Sequence, residues 1–393
     1  MKQSSAEQIR QWRGPALLSF GFRPFFLSAA IWVAVSMIFW LLALGGTFEL
    51  PSRFDPVTWH AHAFLFGYLG AVLAGFLLTA VPNWTGRLPI VGWRLGGLFA
   101  LWGAGRIAVL FSAHLPHWLA PGIDLAFPLV LGALILREIV AGKNWRNLIV
   151  LAMLAVFTLA NLIFHLEALA DDYAAQGYGL RLGLATAVMM IGVIGGRIIP
   201  SFTRNWLVKQ GDDLRPAPPM QTFDKVTLLA SLISLALWVA RPELSETGVF
   251  LVLMGVMHSI RLGRWGGHRT LLEPLVWVLH LAYVFIPLGA LALGFDILFG
   301  LSLSAAGQHL WTAGAIGAMT LAVMTRATLG HTGRELHANA ATVMIYLAFF
   351  ASIAARFLAT DLPVLIHISG ALWLLAFGGF AAVYGPLLIR ARD

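Results

Sequence analysis

Long apolar runs broken by short polar turns fill the chain from end to end. A run of about 20 apolar residues crosses a bilayer as a helix. Such runs fall at 24–45, 58–81, 93–113, 119–141, 146–170, 178–200, 223–241, 247–261, 271–294, 305–328, 338–359 and 362–389. They predict an all-α, polytopic membrane protein with twelve transmembrane helices and both termini on one side. The longest polar stretch, 201–222 with "KQGDDLRPAPPM", reads as a loop between the sixth and seventh spans. No stretch outside the runs is large enough to hold its own core. The prediction is therefore a single transmembrane domain over 1–393, led by a segment, 1–22, on the side of the termini. That segment is basic and amphipathic and lacks the apolar core of a cleaved signal peptide.

Composition agrees with the pattern. The 393 residues are 59% hydrophobic and 11% charged, with a mean hydropathy of +0.81; soluble domains carry about 25% charged residues. The net charge of +8 sits in short loops, where it reports topology rather than nucleic-acid binding. The opposite side carries only Arg53, Arg181, Arg241 and Arg356, and Arg106 lies inside a span. Every other Lys and Arg, from Lys2 and Arg10 to Arg392, falls on the side of the termini, which the positive-inside rule makes cytoplasmic. Cysteine is absent, which excludes disulfides, thiolate metal sites and thioether-attached haem.

Three spans end alike at the predicted cytoplasmic face: "TAVPNWTGR" (79–87), "RIIPSFTRN" (197–205) and "RATLGHTGR" (326–334). Thr85, Thr203 and Thr332 align, as do Pro82 and Pro200. Counting back 23 residues gives His62, Leu180 and His309. The pattern predicts three pseudo-repeats of four helices.

Five of the 12 histidines, His60, His62, His165, His309 and His367, fall toward the outer ends of spans, with His280 deeper in span nine. Ionisable groups within a membrane face the bundle interior or a cavity, and imidazole suits iron, copper and zinc. With no thiols, haem iron or copper is the expected centre. His60, His62, His165, His280 and His309 are the candidate ligands. His60 and His62 stand two apart, about 200° around a helix, so they face different surroundings. If the repeat holds, His62 and His309 clamp one haem iron, leaving His60, His165 and His280 for a second centre. Arg106, the most deeply placed Arg on the outer side, is a candidate partner for a haem propionate, for Asp124 or for the interface. Glu167, two residues after His165, is a candidate hydrogen-bond partner or proton carrier.

The stretches "GFRPFFL" (21–27), "WHAH" (59–62), "GFLLTAVPNWTGR" (75–87), "GGRIIPSFTRNWL" (195–207) and "GAIGAMTLAVMTRATLGHTGR" (314–334) resemble the NnrS family over essentially the whole chain. The resemblance implies a bacterial inner-membrane protein holding haem b and copper, linked to nitric oxide in nitrosative-stress resistance or denitrification. By motif it carries over His60, His62, His309 and His331. The family pattern has an acidic residue directly after "WHAH"; here Ala63 stands there, so no ligand or relay role carries over to that position. The haem–copper oxidases and nitric oxide reductases are similar in layout, with twelve spans in three groups and low-spin haem ligands on the second and tenth. Spans six and seven here lack the histidines that bind copper in those enzymes, so their reaction is not transferred.

The expected function is a haem- and copper-binding membrane protein that binds or transforms nitric oxide, in contact with lipid and with an electron donor. A twelve-helix secondary transporter and an oxidase-like or nitric oxide reductase-like enzyme are the alternatives.

Overall fold

The computed structural model describes residues 12–87, 89–359 and 362–391. Lys2, Arg10 and Arg392 of the topology argument lie outside the described residues, as does half of the segment 1–22. The described residues form helices and turns with no strand. The long helices fall where the apolar runs predict them: α1 (Phe22–Leu44), α2 (Pro56–Thr85), α3 (Trp93–Leu110), α4 (Leu119–Ala141), α5 (Leu148–Leu169), α6 (Tyr178–Lys209), α7 (Thr222–Ala240), α8 (Ser245–Gly263), α9 (Pro274–Phe299), α10 (304–332), α11 (Ala340–Leu358) and α12 (Leu365–Ile389). Among the described residues, nine helices are long and apolar enough to cross a membrane, which makes this a multi-pass membrane protein. The remaining three are the more polar ones: α3 holds Arg94 and Arg106, α8 holds Glu246, His258 and Arg261, and α10 holds His309, Arg326 and His331.

Local chemistry sets the helix ends. At α2 the Asp55 carboxylate accepts the N–H groups of Val57 and Thr58 at 2.9 and 3.1 Å, and Pro56 fills the first position, where no N–H is needed. At α9 Glu273 caps in the same way ahead of Pro274. Asn339 accepts from Thr342 at the start of α11. Several helices outrun their apolar stretches, α6 the furthest. α2 continues through Pro82 to Thr85, and α6 continues through Pro200 to Lys209, so part of the predicted 201–222 loop is helical. Beyond Pro200 the helix is amphipathic: Ile199, Thr203 and Leu207 are buried while Arg204, Asn205 and Lys209 are exposed. Hydropathy stops at the first polar residues, whereas the hydrogen-bonded ladder does not.

α2, α6 and α10 each contain a π-helical segment, at Ala63–Tyr68, Ile191–Gly195 and Leu310–Gly317. In α2 and α10 it begins at the residue after His62 and His309. Thr85, Thr203 and Thr332 each donate their hydroxyl to the carbonyl four residues earlier, at 2.8, 2.9 and 2.7 Å.

The chain divides into two compact units: residues 1–183 with 328–334 and 377–393, and residues 184–327 with 335–376. In the first, α1 packs on α2, α3 on α4, and α4 on α5. Trp59 of the "WHAH" stretch is fully buried in an apolar cluster with Leu50, Val109, Trp32 and Phe39. That cluster anchors the first turns of α2 and sets the direction of His62. In the second unit α8 packs along α9 and α7 packs on α8.

Candidate metal centre

One turn beyond Trp59, the side chain of His62 is fully buried in the first unit. Its Nε2 lies 3.1 Å from Asp124 Oδ2 on α4 and 3.0 Å from Asn161 Oδ1 on α5. His165, four residues after Asn161 and so on the same face of α5, places its Nε2 3.0 Å from the same Asp124 oxygen. The two imidazole rings are 4.9 Å apart. Asn161 Nδ2 donates to Asp124 Oδ2 at 2.9 Å, and Arg106 Nη2 on α3 pairs with Asp124 Oδ1. One carboxylate on α4 thus gathers four donors from three other helices, α2, α3 and α5. His62, Asp124 and His165 form a group of metal-ligand type, with one donor atom from each within 4.8 Å of the others.

Hydrogen-bond roles follow by elimination. Asp124 and the Asn161 carbonyl oxygen can only accept, so His62 donates from Nε2. Its Nδ1 has no partner among the described residues. A proton there would be buried without an acceptor, so the ring is neutral. Arg106 balances the charge of Asp124, and both are buried.

The π-helical turn makes room for the arginine. A π turn displaces backbone carbonyls from the α-helical ladder; here Trp32 Nε1 donates to Ala63 O and Trp102 Nε1 to Gly67 O, both at 3.0 Å. A Cβ at Gly67 would sit 2.6 Å from Arg106 Nη1 and 2.8 Å from Trp32 Nε1. Gly67→Ala is therefore expected to cost about 1–3 kcal/mol by overpacking, read as a lower melting temperature in detergent. Wild-type melting would mean that Arg106 is not held against this backbone.

Two imidazoles and a carboxylate, each placed by a separate helix, are a donor set that copper or iron accepts, and the orphaned Nδ1 of His62 adds a lone pair with no internal use. A cavity of about 10 Å³ lies against Arg106, Asp124 and Asn161, walled by Phe66, Phe127 and Leu131. That is room for about one water molecule. The cluster fits a metal ion; it does not fit a porphyrin.

The other candidate residues lie elsewhere. His60 stacks on Trp40 of α1 at 4.5 Å and lies 4.3 Å from Phe64. It is half-buried and outside the cluster, as the 200° separation from His62 requires. Glu167 accepts the N–H groups of Tyr178 and Gly179 at 2.6 and 3.0 Å, so it caps α6 and does not partner His165. His280 and His309 belong to the second unit. His280 Nε2 bonds Thr203 Oγ1 at 2.7 Å. His309 Nδ1 bonds the Ala305 carbonyl at 2.8 Å, and its ring lines a narrow cleft with Arg356. Asn161 was not singled out by sequence reasoning; its signal was an amide four residues before His165 within an apolar run.

A multi-pass helical membrane protein with a buried imidazole–carboxylate cluster is the class that fold and site define. Residues 16–392 match the NnrS protein family, and the chain belongs to it. No curated protein matches the chain.

Proposed function

We propose that this chain is a twelve-span protein of the bacterial inner membrane, a single transmembrane domain with both termini cytoplasmic. We infer that it holds copper at His62, Asp124 and His165 and binds or transforms nitric oxide. One observation carries the reading: two imidazoles and a carboxylate from three helices meet in a buried site. Copper bound there would supply a one-electron redox partner and a coordination position for a small ligand. The protein's own part is positioning. Arg106 and Asn161 orient Asp124, as outer-shell partners of a metal site do. Phe54, Phe66 and Phe164 around His62 keep water out. Nitric oxide, small and apolar, reaches such a site through lipid.

Haem b is expected from the family resemblance, with His309 as its candidate ligand. A Nδ1–H bound to the Ala305 carbonyl leaves Nε2 unprotonated, the arrangement a metal-binding imidazole needs. The shared placement of π segments after His62 and His309 and the three equivalent threonine bonds support the reading of three pseudo-repeats. A transporter is the second reading, favoured by one fact: Asp124 already accepts from four donors, which a metal-free proton or substrate site also requires.

Copper and iron analysis of the purified protein, with reduced-minus-oxidised spectra and nitric oxide consumption, tests the proposal. Copper near one per chain, a haem Soret band and nitric oxide binding are expected. A colourless, metal-free preparation would overturn it in favour of transport.

A further inference from the structure

A chain of buried polar side chains in the second unit has no part in the function proposed above. Arg261 on α8 donates from Nε to Asp224 Oδ1 at 2.7 Å. Its Nη1 donates to the Gly192 carbonyl at 2.8 Å, inside the π segment of α6, and to the Tyr283 hydroxyl oxygen at 2.9 Å. The guanidinium lies so close to Gly196 that any Cβ there would collide with it. The Tyr283 oxygen is 2.8 Å from His258 Nδ1, and His258 Nε2 is 2.8 Å from Ser231 Oγ. Ser231 donates to the Thr227 carbonyl at 2.7 Å. All five side chains are buried.

The direction of every proton in this chain is determined. Arginine has no acceptor, so the Tyr283 oxygen accepts from Arg261 and its own proton is left for His258 Nδ1. The neutral imidazole then carries its proton on Nε2 and donates to Ser231. Tyr283 is thus a phenol with a cation on one side of its oxygen and a base on the other. Both lie in a dry interior, with the Trp265 ring edge-on at 4.7 Å.

We propose that Tyr283 and His258 form a redox-active pair in which Tyr283 gives one electron to a high-potential, one-electron metal oxidant while its phenol proton passes to His258. The O–H bond of Tyr283 breaks and an N–H bond forms at His258 Nδ1. The oxidant is reduced by one electron, and a neutral tyrosyl radical and an imidazolium remain. Re-reduction by one electron returns the proton. The geometry favours this step because no hydrogen bond is lost in it. The radical oxygen still accepts from Arg261 and now accepts from His258 Nδ1–H, while His258 Nε2–H still donates to Ser231. The charge of Arg261 is offset by Asp224, so the new imidazolium is the only uncompensated charge. Trp265, against Tyr283 and under the Arg261 guanidinium at 5.4 Å, provides an aromatic contact through which the electron leaves.

The test uses the full-length protein in detergent, oxidised by flash excitation of ruthenium tris-bipyridine with persulfate and freeze-trapped for electron paramagnetic resonance. A tyrosyl signal is expected that narrows when the protein carries ring-deuterated tyrosine. Tyr283→Phe should remove most of it. Tyr346→Phe should retain it, because the Tyr346 hydroxyl bonds the Thr325 hydroxyl and lies outside the Arg261–Tyr283–His258–Ser231 chain. His258→Gln should slow radical formation by about 100-fold, the contribution of a positioned base. Formation in the unaltered protein should slow in deuterium oxide, a readout that needs no variant. An undiminished signal in Tyr283→Phe, a spectrum of tryptophan radicals alone, or formation at the same rate in deuterium oxide would each overturn the proposal.

Discussion

Asp124→Leu is expected to lower the stability of the protein by about 3–5 kcal/mol, the cost of leaving a buried charge without its partner. Asp124 is fully buried and accepts from Arg106, Asn161, His62 and His165. Leucine matches its size but accepts nothing. Arg106, whose Nε and Nη1 have no partner among the described residues, would lose its ion pair with Asp124. Arg106→Met should cost a similar amount by stranding the carboxylate. The double variant Asp124→Leu/Arg106→Met should cost clearly less than the two singles together, because it removes both charges at once. Thermal melting in detergent, followed by circular dichroism, measures all three. An Asp124→Leu protein within about 0.5 kcal/mol of wild type, the range of an ordinary surface change, would mean that the cluster is not formed.

His62→Ala and His165→Ala should abolish metal binding at the cluster, whereas His60→Ala should leave it intact. Each of the first two removes a donor atom outright. His60 stacks on Trp40 and Phe64 and supplies no donor atom to the His62–Asp124–His165 group. Asn161→Ala removes a hydrogen bond to the carboxylate and no donor atom of the His62–Asp124–His165 group. Its affinity should fall by about 10–100-fold, the usual effect of losing an outer-shell partner. Copper titration against a competing chelator separates the three classes. The proposal fails if His60→Ala and His62→Ala lose metal equally. Melting curves of the same samples distinguish loss of a ligand from loss of the fold.

Much of the site was legible in the chain. His62, His165 and Arg106 stood out because a titratable side chain in an apolar run needs a partner, and the structure brings these three together around Asp124. Asp124 entered the sequence argument only as a possible partner of Arg106, because a lone acid within a span has no spacing that marks it as a hub. Helix geometry set His60 apart from His62 and left His165 to the centre of His60, whereas the His165 ring lies 4.9 Å from that of His62. Depth in the membrane put His280 beside His165, yet His280 is tied to Thr203 in the other compact unit. Depth is one coordinate; contact needs three. The ends of α2 and α6 were misjudged for a related reason, since hydropathy follows the solvent and helices follow their hydrogen bonds.

Composition and the lengths of the apolar runs were enough to establish a thiol-free, all-helical membrane protein, because crossing lipid demands about 20 apolar residues with every backbone group satisfied internally. Long motifs were enough to establish its family. The π turns lay beyond their reach: a ladder that shifts by one residue leaves the apolar pattern unchanged. So did the meeting of α2, α3, α4 and α5 on one carboxylate and the single direction of the Arg261–Tyr283–His258–Ser231 chain. Those depend on which faces of separate helices pack together, a property of the assembled bundle that no single run of residues encodes.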